Sequence, residues 1–473
     1  MLTDDQYYQA ILSHDRRFDG VFFVGVSSTG IYCRTVCTAK TPRRENCTFY
    51  PSAAAAEQAG YRPCLRCRPE LAPGQAKIDA VGRLAAAAAS QIEDGALTEH
   101  SVNDLAMSLG ISDRHLRRVL QQEFGVSPIQ LAQTQRLLLA KRLLTDSSLS
   151  IAEVAFASGF SSVRRLNALF QARYRLNPSA MRRATNLPQD TLRCELAYRP
   201  PLDWQALLGF LKGRAISGVE RITNNGYQRT VQLGEYQGWI QVSPIPWQDK
   251  LQVELSASLV AVILPVLTRV KHLFDLAADP VLITHHLGDL TRASPGLRVP
   301  GAFQGFEVAV RAILGQQVSV KAATTLMRRL VKAVGTPIQT PLADLTHLSP
   351  TPAQIAQLSP VDLTPLGILE KRAQSIITIA QAIVDGSLQL DTYADVGATI
   401  SSLKALPGIG DWTAQYIAMR VLAYPDAFPH GDLWLRRALS VEKPAHVLQM
   451  AEPWRPWRAY AAMHLWKSLE QVG

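Results

Sequence analysis

The sequence predicts a multidomain, mainly α-helical protein with two smaller regions of mixed helix and strand. Its 473 residues, 47% of them hydrophobic, exceed what one core usually supports, so several domains are expected. Sequence patterns typical of β-strands occur at Val21–Val26, and again at Thr230–Tyr236 and Leu251–Leu255, where apolar and polar residues alternate. Most other segments have apolar residues at helical spacing, and the chain beyond residue 300 is typical of successive helices broken by Pro and Gly.

These patterns divide the chain into four predicted domains. We expect a small α+β domain with most of the cysteines over residues 1–76, a helical bundle over 77–186, an α+β subdomain over 187–300 and an all-α domain over 301–473. Pro188 and the pair Pro200–Pro201 indicate a linker between the two halves of the chain.

The composition favours a polyanionic partner. The chain has 49 Lys and Arg against 39 Asp and Glu, a formal charge of 49 − 39 = +10. A basic surface of this kind suits nucleic acid, although a basic protein without such a partner can have the same composition. No apolar run approaches the length that spans a bilayer, and the first residues lack the form of a signal peptide. We therefore expect a soluble, cytoplasmic protein without a membrane partner.

Four of the six cysteines have the spacing of metal ligands. Cys33 and Cys37 form a C-x3-C pair, and Cys64 and Cys67 form a C-x2-C pair. Together they supply the four thiolates that tetrahedral zinc prefers. A disulfide framework is not expected in a long chain without an export signal. The sequence therefore predicts one zinc ion bound by these four residues.

An internal repeat predicts two DNA-binding helix pairs. Asp104–Ser112 recurs as Glu153–Ser161 at an offset of 49 residues, and each copy joins two helices through a Gly turn. This is the pattern of a helix-turn-helix unit, whose second helix suits the major groove. The candidate DNA contacts on the second helices are Arg114, Arg117 and Arg118 in one copy and Arg164 and Arg165 in the other. Over residues 80–183 the arrangement resembles the tandem module of AraC-type regulators, with a solvated helical hairpin as the alternative.

The cysteine region resembles the N-terminal domain of the Ada adaptive-response protein over about residues 3–75. The similarity lies in the motifs Gly30–Cys37, Arg44–Tyr50 and Gly60–Cys67. It implies that the four cysteines bind zinc and that Cys33 accepts a methyl group from a methyl phosphotriester in DNA. A closed zinc site that only stabilises the fold is the alternative. A Pro-Cys-His-Arg motif does not occur in the sequence, so methyl transfer from O6-methylguanine is not expected.

A helical hairpin in the last third of the chain predicts contact with the DNA backbone. Leu403–Gly410 followed by Asp411–Arg420 has the pattern of a helix, a tight Gly turn and a second helix. Backbone N–H groups near Gly408 and Gly410 are then available to bind a phosphate. Asp432 follows about twenty residues later, in a loop that enters another helix. This spacing resembles that of the helix-hairpin-helix glycosylase superfamily.

The second half resembles the 3-methyladenine DNA glycosylase II family, also called AlkA, over about residues 190–472. The similarity lies in the segments Asp203–Ala215, Phe306–Gln316 and Trp454–Trp466. It implies a β-rich subdomain on a helical bundle, with Asp432 as the catalytic aspartate. A simple helix N-cap is the alternative role for this residue.

The same resemblance assigns the base pocket and the reaction type. The aromatic walls are expected to be Phe210, Trp412, Tyr416 and Trp466. Electron-rich ring faces attract the positively charged purines that alkylation produces. Trp412 stands where bifunctional relatives have a lysine, so hydrolysis by water without a Schiff base is expected. Gln317 stands where the family often has an apolar wedge, which makes it a polar candidate for that role.

The sequence thus predicts a monofunctional DNA glycosylase for alkylated bases, fused to a methyl-accepting, site-specific transcription regulator. The glycosylase half contains one cysteine, Cys194, so neither an iron–sulfur cluster nor another glycosylase cofactor is expected. The expected partners of a monomeric chain are double-stranded DNA with alkylated bases, methyl phosphotriesters or promoter sites, and RNA polymerase. The alternatives are a methylation-activated regulator with a weak or vestigial glycosylase, and a glycosylase that uses residues 1–184 only as a DNA tether.

Overall fold

The computed structural model describes residues 3–73, 80–182, 190–391 and 394–470. They form two compact units. The first unit consists of Met1–Pro200, Ile245–Thr268 and Leu276–Asp279, and the second of Pro201–Pro244, Arg269–Asp275 and Pro280–Gly473. The predicted linker residue Pro188 and the predicted boundaries near residues 76 and 186 lie outside the described residues. The division into four domains stays a prediction.

The first unit begins with a small sheet. Its elements in chain order are α1 (Asp4–Leu12), β1 (Phe23–Val26), β2 (Ile31–Cys33), β3 (Cys47–Tyr50), α2 (Ala53–Gln58) and β4 (Arg62–Pro63). The strand order is β3-β1-β2-β4, with β2 antiparallel to β1 and parallel to β4. Tyr32 of β2 lies opposite Pro63 of β4, so the next residues, Cys33 at the end of β2 and Cys64 directly after β4, lie at the same end of the two strands. The strand predicted at Val21–Val26 is confirmed over most of its length.

A helical segment follows the small sheet. Its helices are α3 (Ala80–Glu93), α4 (Ala96–Glu99), α5 (Val102–Ser108), α6 (Asp113–Phe124), α7 (Pro128–Asp146), α8 (Ile151–Ala157) and α9 (Val163–Tyr174). The two predicted helix-turn-helix units are confirmed as the pairs α5–α6 and α8–α9. Each turn contains a left-handed glycine, with φ 68° at Gly110 and 74° at Gly159. Ser112 and Ser162 each accept a hydrogen bond from the backbone N–H three residues later and so begin α6 and α9.

The middle of the chain contains the remaining strands. Its elements are β5 (Thr191–Ala197), α10 (Trp204–Lys212), β6 (Glu220–Ile222), β7 (Tyr227–Leu233), β8 (Tyr236–Pro244) and β9 (Lys250–Ser256). In the first unit β5 pairs with β9, and in the second unit β6, β7 and β8 form an antiparallel meander. The strand predicted at Leu251–Leu255 is confirmed. The prediction of one strand over Thr230–Tyr236 is wrong at its end, because Gly234 turns the chain with φ 59° before β8 begins.

The rest of the chain is helical, as predicted. The helices are α11 (Ile263–Leu273), α12 (Pro280–Leu287), α13 (Gly305–Leu314), α14 (Val320–Val334), α15 (Pro352–Ala356), α16 (Pro360–Leu363), α17 (Glu370–Val384), α18 (Val396–Ala405), α19 (Asp411–Arg420), α20 (Leu433–Ala438), α21 (Pro444–Met450) and α22 (Arg458–Glu470). Every residue of α13 from Phe306 to Leu314 is buried, and α14, α17 and α19 pack around it. A helix without an exposed face marks the centre of a core. No described helix is both long and apolar enough to cross a lipid bilayer.

Helix α22 carries a buried histidine two residues before Trp466. Burial and the nearby Lys467 cation lower the pKa of His464 to about 4, so its imidazole is neutral in the folded protein at neutral pH. Lys467 is itself held in place, because its Nζ donates hydrogen bonds to Asp203 over 2.6 Å and to Ser294 over 2.5 Å.

Acidification should therefore destabilise the second unit through His464. In the unfolded chain this histidine takes up a proton near its usual pKa of 6.5, whereas in the folded chain it does so near 4. The unfolded state binds more protons between these values, so the free energy of unfolding falls by up to about 3 kcal/mol as the pH drops through this window. Urea unfolding followed by tryptophan fluorescence at several pH values measures this slope. His464→Phe should flatten it and His285→Phe, at an exposed histidine of α12, is the control; equal slopes for wild type and His464→Phe would contradict the assignment.

Candidate active sites and nucleic-acid interface

The four predicted metal ligands converge at one point in the first unit. The Sγ atoms of Cys33, Cys37, Cys64 and Cys67 all lie within 4.8 Å of one another, and those of Cys37 and Cys64 are 4.0 Å apart. A tetrahedron with Zn–S bonds of about 2.3 Å has S···S edges of about 3.8 Å, so zinc fits after small shifts. We call these four residues the zinc site. The parallel pairing of β2 and β4 brings its two halves together.

The chemistry of the zinc site also calls for a cation. Hydrogen bonds with the three neighbouring thiols, together with burial, raise the pKa of Cys67 well above its usual value. Several ionised sulfurs within 4.8 Å repel one another, and a divalent cation among them removes this repulsion. Four soft sulfur donors in a tetrahedral arrangement are the ligand set that Zn²⁺ prefers.

Two residues of the zinc site, Cys33 and Cys67, are partly exposed, whereas Cys37 and Cys64 are buried. The backbone N–H of Arg34 donates to Sγ of Cys67 over 3.4 Å, and Nη1 of Arg34 donates to the carbonyl oxygen of Cys67 over 3.1 Å. A hydrogen bond to a thiolate draws charge from the sulfur and lowers its nucleophilicity. This contact favours Cys33 over Cys67 as the nucleophile.

In the second unit, Asp432 lies at the first turn of α20. Its Oδ1 accepts hydrogen bonds from the backbone N–H groups of Trp434 over 2.9 Å and Leu435 over 3.1 Å, so the N-cap that the sequence left as an alternative is present. Two indoles donate to the same carboxylate: Nε1 of Trp466 to Oδ1 over 3.1 Å, and Nε1 of Trp412 to Oδ2 over 3.0 Å. Capping a helix needs no indole donors, so capping alone does not account for this geometry.

The four predicted aromatic wall residues form a cluster, and two of them, Trp412 and Trp466, donate to that carboxylate. The rings of Trp412 and Tyr416 are nearly parallel with centroids 5.3 Å apart, and Trp466 lies 6.4 Å from Tyr416. Phe210 of α10 is connected to them through Arg420, whose guanidinium lies 5.0 Å from the Phe210 ring centre and 5.7 Å from that of Tyr416. The structure thus brings all four predicted pocket residues into one neighbourhood in the second unit.

Sequence reasoning missed the arginines behind these rings. The guanidinium of Arg214 lies 3.7 Å from the centre of the Phe210 ring, and Nη1 of Arg420 donates to Oη of Tyr416 over 2.8 Å. Although burial acts in the opposite direction, the nearby arginines lower the pKa of Tyr416. Arg214 follows Phe210 by four residues, and Arg420 follows Tyr416 by four. Residues at this spacing are neighbours on a helix, so the sequence could have predicted both contacts.

The predicted hairpin is present as α18, a glycine turn and α19. Gly408 has φ 82°, and a Cβ there would lie 2.2 Å from Oγ of Ser375, so the turn requires glycine. Nε2 of Gln316 donates to the carbonyl oxygen of Gly408 over 2.9 Å, which joins the loop after α13 to the hairpin. The next residue of that loop, Gln317, is exposed and has φ 56°. The phosphate-binding role of Gly408 and Gly410 and the wedge role of Gln317 stay predictions.

The five candidate arginines of the helix-turn-helix units are exposed, as DNA contacts must be: Arg114, Arg117, Arg118, Arg164 and Arg165. All lie in the first half of α6 or α9. Arg117 forms an ion pair with Asp113 of the same helix, with Nε 2.9 Å from Oδ1. Their contacts with bases or phosphates stay predictions.

Family models match four successive parts of the chain. The metal binding domain of Ada matches residues 6–70, and a helix-turn-helix domain matches residues 105–184. The AlkA N-terminal domain matches residues 193–304, and the HhH-GPD superfamily base excision DNA repair protein matches residues 310–443.

Individual relatives agree with these matches. "DNA-3-methyladenine glycosylase 2" of Escherichia coli K12 is 38% identical over 273 residues, which cover 57% of this chain and 95% of that protein. The structure of "3-methyladenine dna-glycosylase from Archaeoglobus fulgidus" shares the fold at 19% identity, with a TM-score of 0.52 over 59% of this chain and 99% of that one. The Mycobacterium tuberculosis H37Rv protein named "Probable bifunctional transcriptional activator/DNA repair enzyme AlkA" is 38% identical over 484 residues, 98% of this chain and 96% of that protein. Because that similarity extends along nearly the whole of both chains, this chain belongs to the family of bifunctional transcriptional activator/DNA repair enzymes named AlkA.

Proposed function

We propose that this protein repairs alkylated DNA and regulates the response to alkylation. Its second unit is a monofunctional glycosylase that hydrolyses the N-glycosidic bond of alkylated bases, such as 3-methyladenine, in double-stranded DNA. Its first unit takes a methyl group from a DNA methyl phosphotriester and binds DNA through two helix-turn-helix units. The observation that carries the glycosylase proposal is the Asp432 carboxylate, which accepts four N–H hydrogen bonds beside the aromatic cluster.

The hydrogen bonds of Asp432 favour an electrostatic role. Four donors hold the carboxylate in one orientation, so its negative charge needs no reorganisation when positive charge develops on the sugar. In the reaction the bond between C1′ and the base nitrogen breaks, and its electron pair leaves with the base. Water then adds to C1′ and loses a proton, which leaves a free base and an abasic sugar. Trp412 occupies the position of a Schiff-base lysine, so a lyase step through that position is not expected.

The aromatic cluster supplies the binding part of the proposal. A flipped base with a delocalised positive charge gains stacking and cation–π attraction from indole and phenol faces. The indoles of Trp412 and Trp466 also donate to Asp432, so the walls and the carboxylate form a single unit. This intact geometry argues against a vestigial glycosylase.

Asp432→Asn should lower base release from methylated duplex DNA by about 100-fold or more, because an amide lacks the charge that stabilises the transition state. Binding of the same DNA should change little, since the carboxylate does not contact phosphates in this mechanism. Single-turnover release of 3-methyladenine, together with a binding titration, measures both effects.

The matched control for this test is Asp289→Asn, which changes an exposed aspartate that forms an ion pair with Arg292 on the surface of the second unit. It should release base at the wild-type rate. Release by Asp432→Asn within a few-fold of wild type would contradict the proposed role of the carboxylate.

The zinc site supplies the methyl-acceptor part of the proposal. Zinc bound by the four cysteines would keep their sulfurs ionised at neutral pH. The Cys33 sulfur attacks the methyl carbon of the phosphotriester, an S–C bond forms, and the C–O bond breaks. The electron pair of that bond stays on the phosphate oxygen, which restores a phosphodiester. Cys33 ends as a thioether, so each chain accepts one methyl group.

The regulatory part of the proposal follows from charge. Residues 112–183 contain twelve Lys and Arg against four Asp and Glu, an excess of 12 − 4 = +8. Loss of one negative charge at Cys33 reduces repulsion of nearby phosphates within a Debye length. Methylation should therefore raise affinity for a promoter site, and the gain should shrink as salt rises. A monomeric chain in the cytoplasm that contacts RNA polymerase at promoters completes the proposal.

Cys33→Ser should abolish methyl uptake, because a serine hydroxyl is not ionised at neutral pH. The measurement is transfer of radioactive methyl groups from phosphotriester-containing DNA to the full chain, with zinc content determined on the same samples. Cys47→Ser changes a buried thiol outside the zinc site and serves as the control. Methyl uptake by Cys33→Ser at the wild-type level would assign the acceptor role to another residue.

A further inference from the structure

The short helix α2 contacts the last residue of α6 and of α9. These are the second helices of the two helix-turn-helix units, and we call them the recognition helices. Oγ of Ser52, which caps α2, donates to the carbonyl oxygen of Phe124 at the end of α6 over 2.6 Å. At the other end of α2, Glu57 accepts a hydrogen bond from Oη of Tyr174, the last residue of α9, over 3.1 Å. Phe124 and Tyr174 occupy equivalent positions of the repeat, at an offset of 50 residues. We call residues 6–70, which contain the zinc site, the zinc-binding segment. One helix of this segment thus contacts the same point of two duplicated units.

Glu57 is the centre of this contact. Its side chain is 2% exposed, and hydroxyl groups from three separate elements converge on its carboxylate. Oη of Tyr32, in β2 directly before Cys33, donates to Oε1 over 3.1 Å, and Oγ1 of Thr134 in α7 donates to Oε2 over 2.9 Å. With Tyr174 these donors connect the zinc-site strand, the helix between the two repeats and the second recognition helix.

The contact with the first recognition helix is steric as well as polar. Gly125 ends α6 in a left-handed conformation, and a Cβ there would lie 3.2 Å from Cβ of Ala55 and 3.3 Å from Cγ of Pro51. The equivalent position after α9 is Arg175, also left-handed, and the neighbouring Arg173 donates from Nη1 to the carbonyl oxygen of Glu57 over 3.3 Å. The first repeat thus packs against α2 through a small residue, and the second is hydrogen-bonded to it.

Burial of a carboxylate in a core costs free energy of folding. A well-packed apolar residue of similar size is often at least as stabilising, so the gain from Glu57 lies in geometry rather than in stability. Its three partners must hold their hydroxyl groups in fixed directions, because a buried donor that loses its acceptor costs free energy. Such a network has few alternative arrangements, so it can hold α2 in one position relative to the helices that it contacts.

We propose that Glu57 is a positioning residue for DNA recognition: through α2 it sets the placement of α9 relative to α6, so that both recognition helices reach their half-sites together. The inference rests on the proposed DNA-binding function of the two helix-turn-helix units. Two helices that read one duplex must match the spacing of successive major-groove faces, so a small shift of α9 loses the contacts of its half-site. The zinc-binding segment then acts as a spacer as well as a methyl acceptor.

The test compares an intact DNA site with one that has lost the α9 half. The wild-type full chain first selects a duplex from random-sequence DNA, and hydroxyl-radical footprinting locates its two halves. Tyr174→Phe, which removes one hydroxyl and keeps the ring, should weaken binding to the intact duplex about fivefold. On a duplex with the α9 half scrambled, its affinity should equal that of wild type, because α6 still reads its own half.

Further variants separate positioning from general damage to the fold. Glu57→Leu should give the same pattern with a larger loss, and Glu57→Gln should restore affinity to within about twofold, since an amide can accept from both tyrosines and donate to Thr134. The matched control is Tyr8→Phe, whose hydroxyl donates to the carbonyl oxygen of Pro42 within the zinc-binding segment. It should bind both duplexes like wild type.

Two results would overturn the inference. One is wild-type affinity of Tyr174→Phe and Glu57→Leu for the intact duplex, and the other is an equal loss on intact and scrambled duplexes. If the wild-type chain selects no sequence at all, the proposed regulator function falls together with this inference. That outcome differs from failure of the Glu57 inference alone, because it appears with the wild-type protein before any variant is tested.

Discussion

The second unit depends on one carboxylate and the N–H groups that surround it. Asp432 accepts hydrogen bonds from the backbone of α20 and from indoles of α19 and α22, helices that are separated along the chain. A partly buried carboxylate without such donors would be costly, so these helices pack where their donors meet it. Because two of the donors are large rigid rings, the bonds that satisfy the carboxylate also fix the positions of Trp412 and Trp466 in the aromatic cluster. The charge of the site and its shape therefore cannot vary independently.

Two arginines next to the aromatic rings change the electrostatics of the cluster. Arg214 lies against the Phe210 ring, and Arg420 lies near both Phe210 and Tyr416. A cation on one face of a ring weakens the attraction of the other face for a second cation. If the cluster binds a positively charged base as proposed, the binding should therefore depend more on Asp432 and the two indoles than on Phe210. A carboxylate near the sugar and guanidinium groups near the base would favour the proposed reaction, in which positive charge moves from the base to the sugar as the glycosidic bond breaks.

In the first unit, too, polar groups need partners from separate elements of the chain. The four sulfurs of the zinc site need a cation, and the carboxylate of Glu57 needs the hydroxyls of three elements. In both places buried or partly buried polar groups are stable only when distant parts of the chain supply hydrogen-bond or metal partners. Arg34 joins this scheme, because it follows one zinc-site cysteine in the chain and hydrogen-bonds to another, Cys67. Tyr32 links the two places, because it donates to Glu57 and directly precedes Cys33 of the zinc site.

The sequence by itself determined the features that depend on near neighbours. The glycine turns at Gly110, Gly159 and Gly408, the cysteine pairs and the duplicated helix pairs were all predictable, since turns and helix starts depend on a few adjacent residues. The end of β7 at Leu233 was missed, because alternation alone does not mark a tight hairpin. Only the tertiary structure decided that Asp432 receives two indole hydrogen bonds, that Arg214 and Arg420 both lie against the Phe210 ring, and that Glu57 joins three elements. These contacts link residues far apart in the chain or depend on which face of a helix turns inward, and packing of the whole unit sets both.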